Sequence, residues 1–451
     1  MAASQKSYWL KSGFLSLLEK GSVFVFGFGS VFFLLRGLSM DDYGTYVLFL
    51  AITAFIEVGR NGLLQNALVK FLSTCEPEET GRIATASISI SLGLTLICIL
   101  ILLLFGELFG RMLNAPGLGL LLRIYCITTL ILIPFHQFNF IQQANLDFSG
   151  IFWSNFINKG LFFAFLAILF FFSYEFSLVY IVTFQAFAAL MGAFATCWIG
   201  RKYLHFSWTI DWSWVKTLFN YGRFIFGTNL NAMIHKKIDT LMLGNLLGPA
   251  ASGIYDLAIR ITNLVEVPTF SVASIVFPQS ARRMETDGKE AIRYLYERSV
   301  GLILAIILPF LAFVFIFAKY IILLLASDKG ADAVQVLQVT IFFGLFIPYA
   351  VQFGTVLDSI GKPKLNFRFT LVGATLNIVC NYIFITRFGV MGAAYGTLTT
   401  YAIIFVATQI VLNRLIGVKP QNALVYMLHF YTKEIPKGLQ TIRQKLMASR
   451  A

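Results

Sequence analysis

Charge is scarce in this chain, and acid scarcer than base. Asp, Glu, Lys and Arg make up 13% of its 451 residues, about half the share of an ordinary soluble domain. At this length a soluble reading needs two or three domains, and the polar residues to clothe them are missing. Cysteine is sparse too: the five, at 75, 98, 126, 197 and 380, form no CxxC pair and no Cys/His cluster. That excludes a zinc module and a disulfide framework. No HExxH, DxD or GxSxG motif and no phosphate-cradling glycine loop occurs, so neither an enzyme site nor a metal site is expected. "GFGS" at 27–30 reads as small-residue helix packing. The first apolar run lacks an A-x-A exit and contains Glu19-Lys20, which argues against a secretory signal peptide.

What the chain has is oil. Hydrophobic residues make up 58%, with 47 Phe and a mean hydropathy of +0.77. Apolar runs of spanning length occur at 13–35, 43–72, 83–106, 118–143, 150–173, 177–200, 217–247, 253–278, 299–318, 332–359, 365–387 and 390–416. Each is read as a membrane-crossing helix. The expected fold is therefore an all-α membrane protein of about 12 transmembrane helices. The two longer polar links are 201–216 and 279–298. The tail at 417–451, with Lys433, Lys437, Arg443, Lys445 and Arg450, suits a basic helix on the membrane face.

The net charge of +13 invites a nucleic-acid reading, but the bases fall in short loops between apolar runs, a topology signal instead. With both termini cytoplasmic, 22 of the 35 Lys and Arg lie at cytoplasmic loops and helix ends and five lie outside: Arg36, Arg111, Lys319, Lys329 and Arg387. The other eight are within spans. This positive-inside bias predicts that both termini face the cytoplasm.

The sequence also repeats. Residues 38–58 and 247–267 align without gaps at an offset of 209, with eight of 21 positions identical, among them Gly44/Gly253, Tyr46/Tyr255 and Glu57/Glu266. Six spans separate the copies, so both run in the same direction, the parallel-repeat plan of some transporters. The expected division is a six-helix bundle at 1–200, a linker at 201–216, a second bundle at 217–416, and the tail.

At this point three stretches carry a family resemblance. "LLRGLSMDDYGTYVLFL" after the first span, "KKIDTLMLGNLLGPAASGIYDLAIRI" at the repeat, and 358–401 with "GKPK" and "FGVMGAAYGTLTTY" together resemble polysaccharide transporters. These are the Wzx-type flippases of the multidrug/oligosaccharidyl-lipid/polysaccharide exporter superfamily. The resemblance covers about residues 10 to 416; "SMDD" lacks the proline usual in the first motif. It implies two pseudo-symmetric six-helix bundles around a central cavity that opens alternately to each side. It also implies a polyprenyl-diphosphate-linked oligosaccharide as substrate, moved across the membrane, with membrane lipids and the polymerase and glycosyltransferases of the same pathway as partners. A cation-coupled multidrug antiporter of the same superfamily is the alternative, and a membrane polymerase or ligase of lipid-linked sugars a more distant one.

Ionisable groups inside lipid are costly, so each needs a reason. Of the eight Lys and Arg within spans, Arg123 reads as an anchor near the outer interface, and seven look intramembrane: Lys20, Arg60, Lys159, Arg223, Lys236, Lys237 and Arg260. Five acids accompany them: Glu19, Glu57, Asp239, Asp256 and Glu266. The surplus of positive charge suits an anionic cargo better than a cationic drug. Lys236, Lys237, Arg60, Lys20 and Arg223 are the candidate cavity cations. On "AMIHKKIDTLMLG" (232–244), Thr228, Asn231, His235 and Asp239 make one polar stripe with Lys236 beside it. The plain reading of that cluster is a local Asp239 pair with His235 or Lys236 and a snorkelling lysine. Asp256 and Arg260, four apart, read as a structural bridge. Glu57 and Glu266 occupy equivalent repeat positions. Each is either a coupling site for H+ or Na+ driven by the membrane potential or a hydrogen-bonded carboxyl holding helices together. No cofactor is expected.

Overall fold

The computed structural model describes residues 2–203, 207, 209–286 and 288–434. Among these no strand occurs. The helices are α1 (Ala2–Gly37), α2 (Met40–Leu72), α3 (Thr80–Met112), α4 (Leu118–Ala144), α5 (Phe148–Phe171), α6 (Leu178–Gly200), α7 (Trp212–Leu247), α8 (Pro249–Thr262), α9 (Glu266–Thr286), α10 (Gly288–Ala326), α11 (Ala333–Thr340), α12 (Ile347–Ser359), α13 (Pro363–Phe388), α14 (Val390–Ile416) and α15 (Pro420–His429). Eleven segments of the described chain are long and apolar enough to cross a membrane. This is a multi-pass membrane protein. The twelfth expected span falls on α7, whose 36 residues carry Lys216, Arg223, Lys236, Lys237 and Asp239 and so stay outside that set. Side chains such as Leu104, Phe171 and Ile316, 65%, 74% and 68% exposed, point outward, as acyl-chain solvent allows.

Short polar signals cut the helices. Ser39 caps α2, its hydroxyl accepting from the Asp42 N–H at 3.1 Å, and Asp41 and Asp42 sit where the helix dipole favours acid. Asp147 and Asp211 cap α5 and α7 in the same way. Gly248 ends α7 at φ +95° and Pro249 opens α8; a glycine takes that left-handed turn without strain, and proline suits a first helical turn.

The repeat is visible as geometry. α2 starts at Met40 and α8 at Pro249, the same offset of 209. Gly44 lies so near the second copy that a Cβ there would sit 1.8 Å from the Pro249 carbonyl oxygen; one on Gly253 would lie 3.1 Å from the Gly44 nitrogen. The copies then diverge. α2 runs unbroken through Glu57, whereas the second copy gives way to a 3-10 turn at Asn263–Val265 before Glu266 opens α9. Pro268 stands where the first copy has Gly59. Its ring cannot tolerate the helical carbonyl four residues earlier, and its nitrogen donates nothing.

By internal packing the chain forms two compact units, Met1–Gly253 and Ile254–Ala451. In the first, α2 packs on α3, α4 and α7, while α6 packs on α4 and α5, and α1 on α5. Polar groups join these helices: Thr196 Oγ1 donates to Asn139 Oδ1 at 2.8 Å, and Gln142 Nε2 donates to Thr196 Oγ1 at 2.7 Å, as suits helices that lack a hydrophobic drive to associate in lipid. Packing thus groups α7 with the first unit, whereas the repeat assigns 217–247 to the second half of the sequence. One division reports contacts and the other duplication.

In the second unit α10 packs on α9, α12 and α15, and α13 on α14. The link at 279–298, expected as a polar loop, is helical nearly throughout: α9 runs to Thr286 and α10 begins at Gly288. Glu, Lys, Arg and Ala there are good helix formers, so the helices outrun the lipid-compatible stretch. The tail begins differently from a free surface helix. α15 docks on α10, where a Cβ on Gly301 would lie 2.6 Å from the Ala423 carbonyl oxygen. Glu297, 2% exposed, accepts from the Lys419 N–H at 2.8 Å and from Asn422 Nδ2 at 2.9 Å. Lys437, Arg443, Lys445 and Arg450 lie outside the described residues.

Candidate functional site

Two glycines let α2 and α7 approach. A Cβ on Gly222 would fall 1.9 Å from the Leu63 carbonyl oxygen, and one on Gly62 would fall 2.7 Å from Asn229 Nδ2. From this crossing a groove with a cavity of about 330 Å³ opens between the helices. Glu57, Asn61 and Gln65 of α2, at successive i+4 positions, form one wall. Asn229, Met233 and Lys236 of α7, spaced four and three apart, form the other. Lys236 is exposed into it.

Behind the wall stands a buried polar cluster. Arg60, 3% exposed, donates through Nη2 to both Glu57 oxygens, at 2.9 and 2.7 Å. Its Nη1 donates to the Thr129 carbonyl at 2.8 Å and reaches Thr95 Oγ1 at 3.4 Å. Glu57 also accepts from Tyr125 Oη at 2.6 Å and Asn61 Nδ2 at 3.3 Å, and lies 3.0 Å from His136 Nε2. A hydrogen bond between a guanidinium nitrogen and a carboxylate is charge-assisted, and stronger than one between neutral groups. In so dry a place it is also the condition under which either charge can exist. The cluster draws on α2, α3 and α4, so Glu57 presents the groove with an acid already matched by its own cation.

The charges singled out in the sequence separate here. Glu57 and Lys236 line the groove and Arg60 stands behind it, its guanidinium committed to Glu57 and Thr129. Lys237 is half-buried and does not line the groove, and the stripe of Thr228, Asn231, His235 and Asp239 does not line it either. Asp239 is 7% exposed; Thr228, His235, Lys236, Lys237 and Asp239 all engage neighbours. The face of α7 toward α2 is turned by about one residue, 100° of arc, from the stripe. Lys20 is exposed on α1, beside Glu19, which accepts from Asn155 Nδ2 at 3.3 Å. Arg223 is exposed next to Gly222. Neither lines the groove. In the second unit Arg260 Nε donates to Asp256 Oδ2, and Glu266, half-buried, opens α9. Tyr125 and His136 were not among the sequence candidates. Both lie on α4, and only the apolar monotony that each interrupts could have flagged them.

With this geometry in view the comparisons become specific. A family model described as polysaccharide biosynthesis protein matches residues 33–335. The chain belongs to that family. An uncharacterised membrane protein of Methanocaldococcus jannaschii is 27% identical over 45% of this chain and 40% of its own length. A probable low-salt glycan biosynthesis flippase, Agl15, of Haloferax volcanii is 23% identical over 47% and 44%. The matched region thus spans less than half the length of these two relatives. The lipopolysaccharide biosynthesis protein WzxC of Escherichia coli is 22% identical over 74% of this chain and 66% of its own. Among solved structures, the lipid II flippase MurJ superposes with a TM-score of 0.76 at 15% identity, covering 92% of this chain and 90% of that one. A multidrug MATE transporter of the MOP superfamily superposes with 0.74 at 16%, covering 87% and 95%. This family member therefore has the all-α fold of MOP-superfamily transporters, and the expected resemblance holds.

Proposed function

We propose that this protein is a transporter, not an enzyme, that flips a polyprenyl-diphosphate-linked oligosaccharide across the cytoplasmic membrane by alternating access, with both termini cytoplasmic. One observation carries the reading: in a family named for polysaccharide biosynthesis, the first unit holds an open groove whose acid is neutralised from behind by Arg60 while Lys236 adds a cation to the lining. A diphosphate entering such a groove meets positive charge without repulsion from a bare carboxylate. Lys237, Lys20 and Arg223 stand as further cations along the substrate's course. Glu57, already bonded to His136 and Arg60, is the site through which H+ or Na+ coupling acts; Glu266 is its repeat counterpart in the second unit. The relatives named as flippases and the MurJ-like fold support this reading, as does the surplus of intramembrane cations. The same pathway's glycosyltransferases act before it and its polymerase after it.

The test is reconstitution. Proteoliposomes with a fluorescent polyprenyl-diphosphate oligosaccharide on one leaflet report flipping as protection from an external quencher. Lys236→Ala with Lys237→Ala lowers the rate about tenfold or more while expression and monodispersity hold. An unchanged rate removes the substrate role of these lysines. Absence of flipping by the wild type, with exchange of an organic cation instead, moves the protein to the antiporter class.

A further inference from the structure

The polar end of α10 holds a second site, unrelated to the groove. Gly288–Arg298 carries Lys289, Glu290, Arg293, Glu297 and Arg298, whereas the twenty residues from Ser299 to Ala318 carry no charge. A helix that changes character so sharply enters the bilayer there, which sets Arg298 at headgroup depth. α15 lies against this same stretch, anchored by Glu297. Leu424, Val425 and Leu428 on its outer side are 48%, 60% and 58% exposed, an apolar surface that continues from headgroup level toward acyl chains.

Between α10 and α15 lies a cavity of about 230 Å³. Tyr294 and Arg298 line it from α10, and Tyr426 and His429 from α15, with Glu434 and Phe430 closing it. Its charges come as one of each sign. Arg298 Nη2 is 3.2 Å from Glu434 Oε1, both side chains about half exposed at 52% and 53%. Arg298 Nη1 donates to Tyr294 Oη at 2.6 Å, and its guanidinium stands 5.7 Å over that ring. Tyr294 and Tyr426 meet edge to face at 5.7 Å.

We propose that this cavity binds the headgroup of a phosphoethanolamine lipid from the surrounding bilayer. The phosphate takes hydrogen bonds from Arg298 and His429. The ammonium donates to the Glu434 carboxylate and faces the electron-rich rings of Tyr294 and Tyr426. A purely anionic headgroup is opposed by Glu434 and a purely cationic one by Arg298, so a zwitterion with both charges in reach is the complementary class. Phosphocholine lacks the N–H that the carboxylate would accept. The occupant is a lipid and not a soluble phosphoethanolamine because Leu302 and Phe430 line the cavity beside the polar groups and the apolar face of α15 adjoins it. Entry parts one long ion pair between half-exposed groups, which costs little, and leaves two in its place.

Native mass spectrometry of the full chain, titrated in detergent with phosphatidylethanolamine, phosphatidylcholine or phosphatidylglycerol, reads the site directly. The ethanolamine lipid is expected to be retained about tenfold more strongly than the other two, and Arg298→Gln to lower its retention about tenfold, the loss of one charge-assisted contact. Glu434→Gln lowers ethanolamine-lipid retention while raising that of phosphatidylglycerol, opposite signs that misfolding cannot produce. Equal retention of the three lipids, or ethanolamine-lipid retention indifferent to both substitutions, overturns the proposal. Displacement of the lipid by free phosphoethanolamine at millimolar concentration overturns the lipid as occupant.

Discussion

Arg60 shows how one side chain can carry two readings. Its place three residues from Glu57 reads as a local bridge, while the Asn61, Gln65 and Asn66 that follow it make it read as a cavity cation. In the fold it is buried at 3% and spends both terminal nitrogens on Glu57 and Thr129. The partners that hold it there, Thr95 and Thr129, and those that complete Glu57, Tyr125 and His136, lie 35 to 79 residues along the chain, beyond the reach of helical periodicity. Removing the cation leaves a carboxylate with little solvent. Arg60→Ala is expected to cost roughly 3 kcal/mol, the low end for a broken buried pair because Glu57 keeps 22% of its side-chain exposure. Replacing both, Glu57→Leu with Arg60→Met, restores most of that loss, because an apolar pair needs no counter-charge. Thermal unfolding in detergent across the double-mutant cycle checks both statements; equal losses for the single and double replacements would contradict them.

At the scale of helices, more was legible. Runs of apolar residues located the spans, with α2 and α8 starting three and four residues before the expected 43 and 253, and the repeat offset of 209 recurs as the separation of those two helix starts. Which face of α7 meets α2 was not legible, because the deciding contact is a missing side chain: Gly222 under the Leu63 carbonyl. Gly222→Val is expected to force α2 and α7 apart, lowering the unfolding temperature and abolishing the proposed flipping. Gly227→Val on the same helix, whose Cβ would meet nothing within 4 Å, is tolerated. Comparing the two by thermal melt and flipping rate isolates the crossing. A second element-level expectation concerns acid. Asp147, which caps α5, is pushed up by partial burial but more than offset by hydrogen bonds from Lys202 and Ser149, then Tyr203, which bring its pKa down to about 2. The unfolded value is ~3.9. Its contribution is therefore present in full above about pH 4 and fades as pH falls through 2. Asp147→Asn should melt below the wild type at pH 6, and the gap should shrink at pH 2.5; a gap that widened toward acid would contradict the assignment.

For the molecule as a whole, composition spoke plainly. Scarce charge, long apolar runs and loops rich in Lys and Arg fixed the class and supplied an orientation that can be tested residue by residue. In a cysteine-free background, Asn114→Cys is expected to react with a membrane-impermeant maleimide added outside intact cells. Ser73→Cys, also exposed but in a loop that the positive-inside bias assigns to the cytoplasmic side, is expected to react only after permeabilisation. The reverse pattern would invert the topology. What composition could not convey is the docking of α15 on α10. Glu297 is one acid in a run of charges, and nothing local distinguishes it from its solvated neighbours.

That acid sets a lower bound on the useful length of the chain. Cut after the last spanning helix, at Ile416, the protein keeps every membrane crossing yet loses Lys419 and Asn422. Glu297, 2% exposed with the tail in place, is then left at the lipid boundary with neither of its donors. Trimming that looks harmless on a hydropathy plot should therefore yield aggregates, while a chain ending beyond Tyr431 stays soluble in detergent.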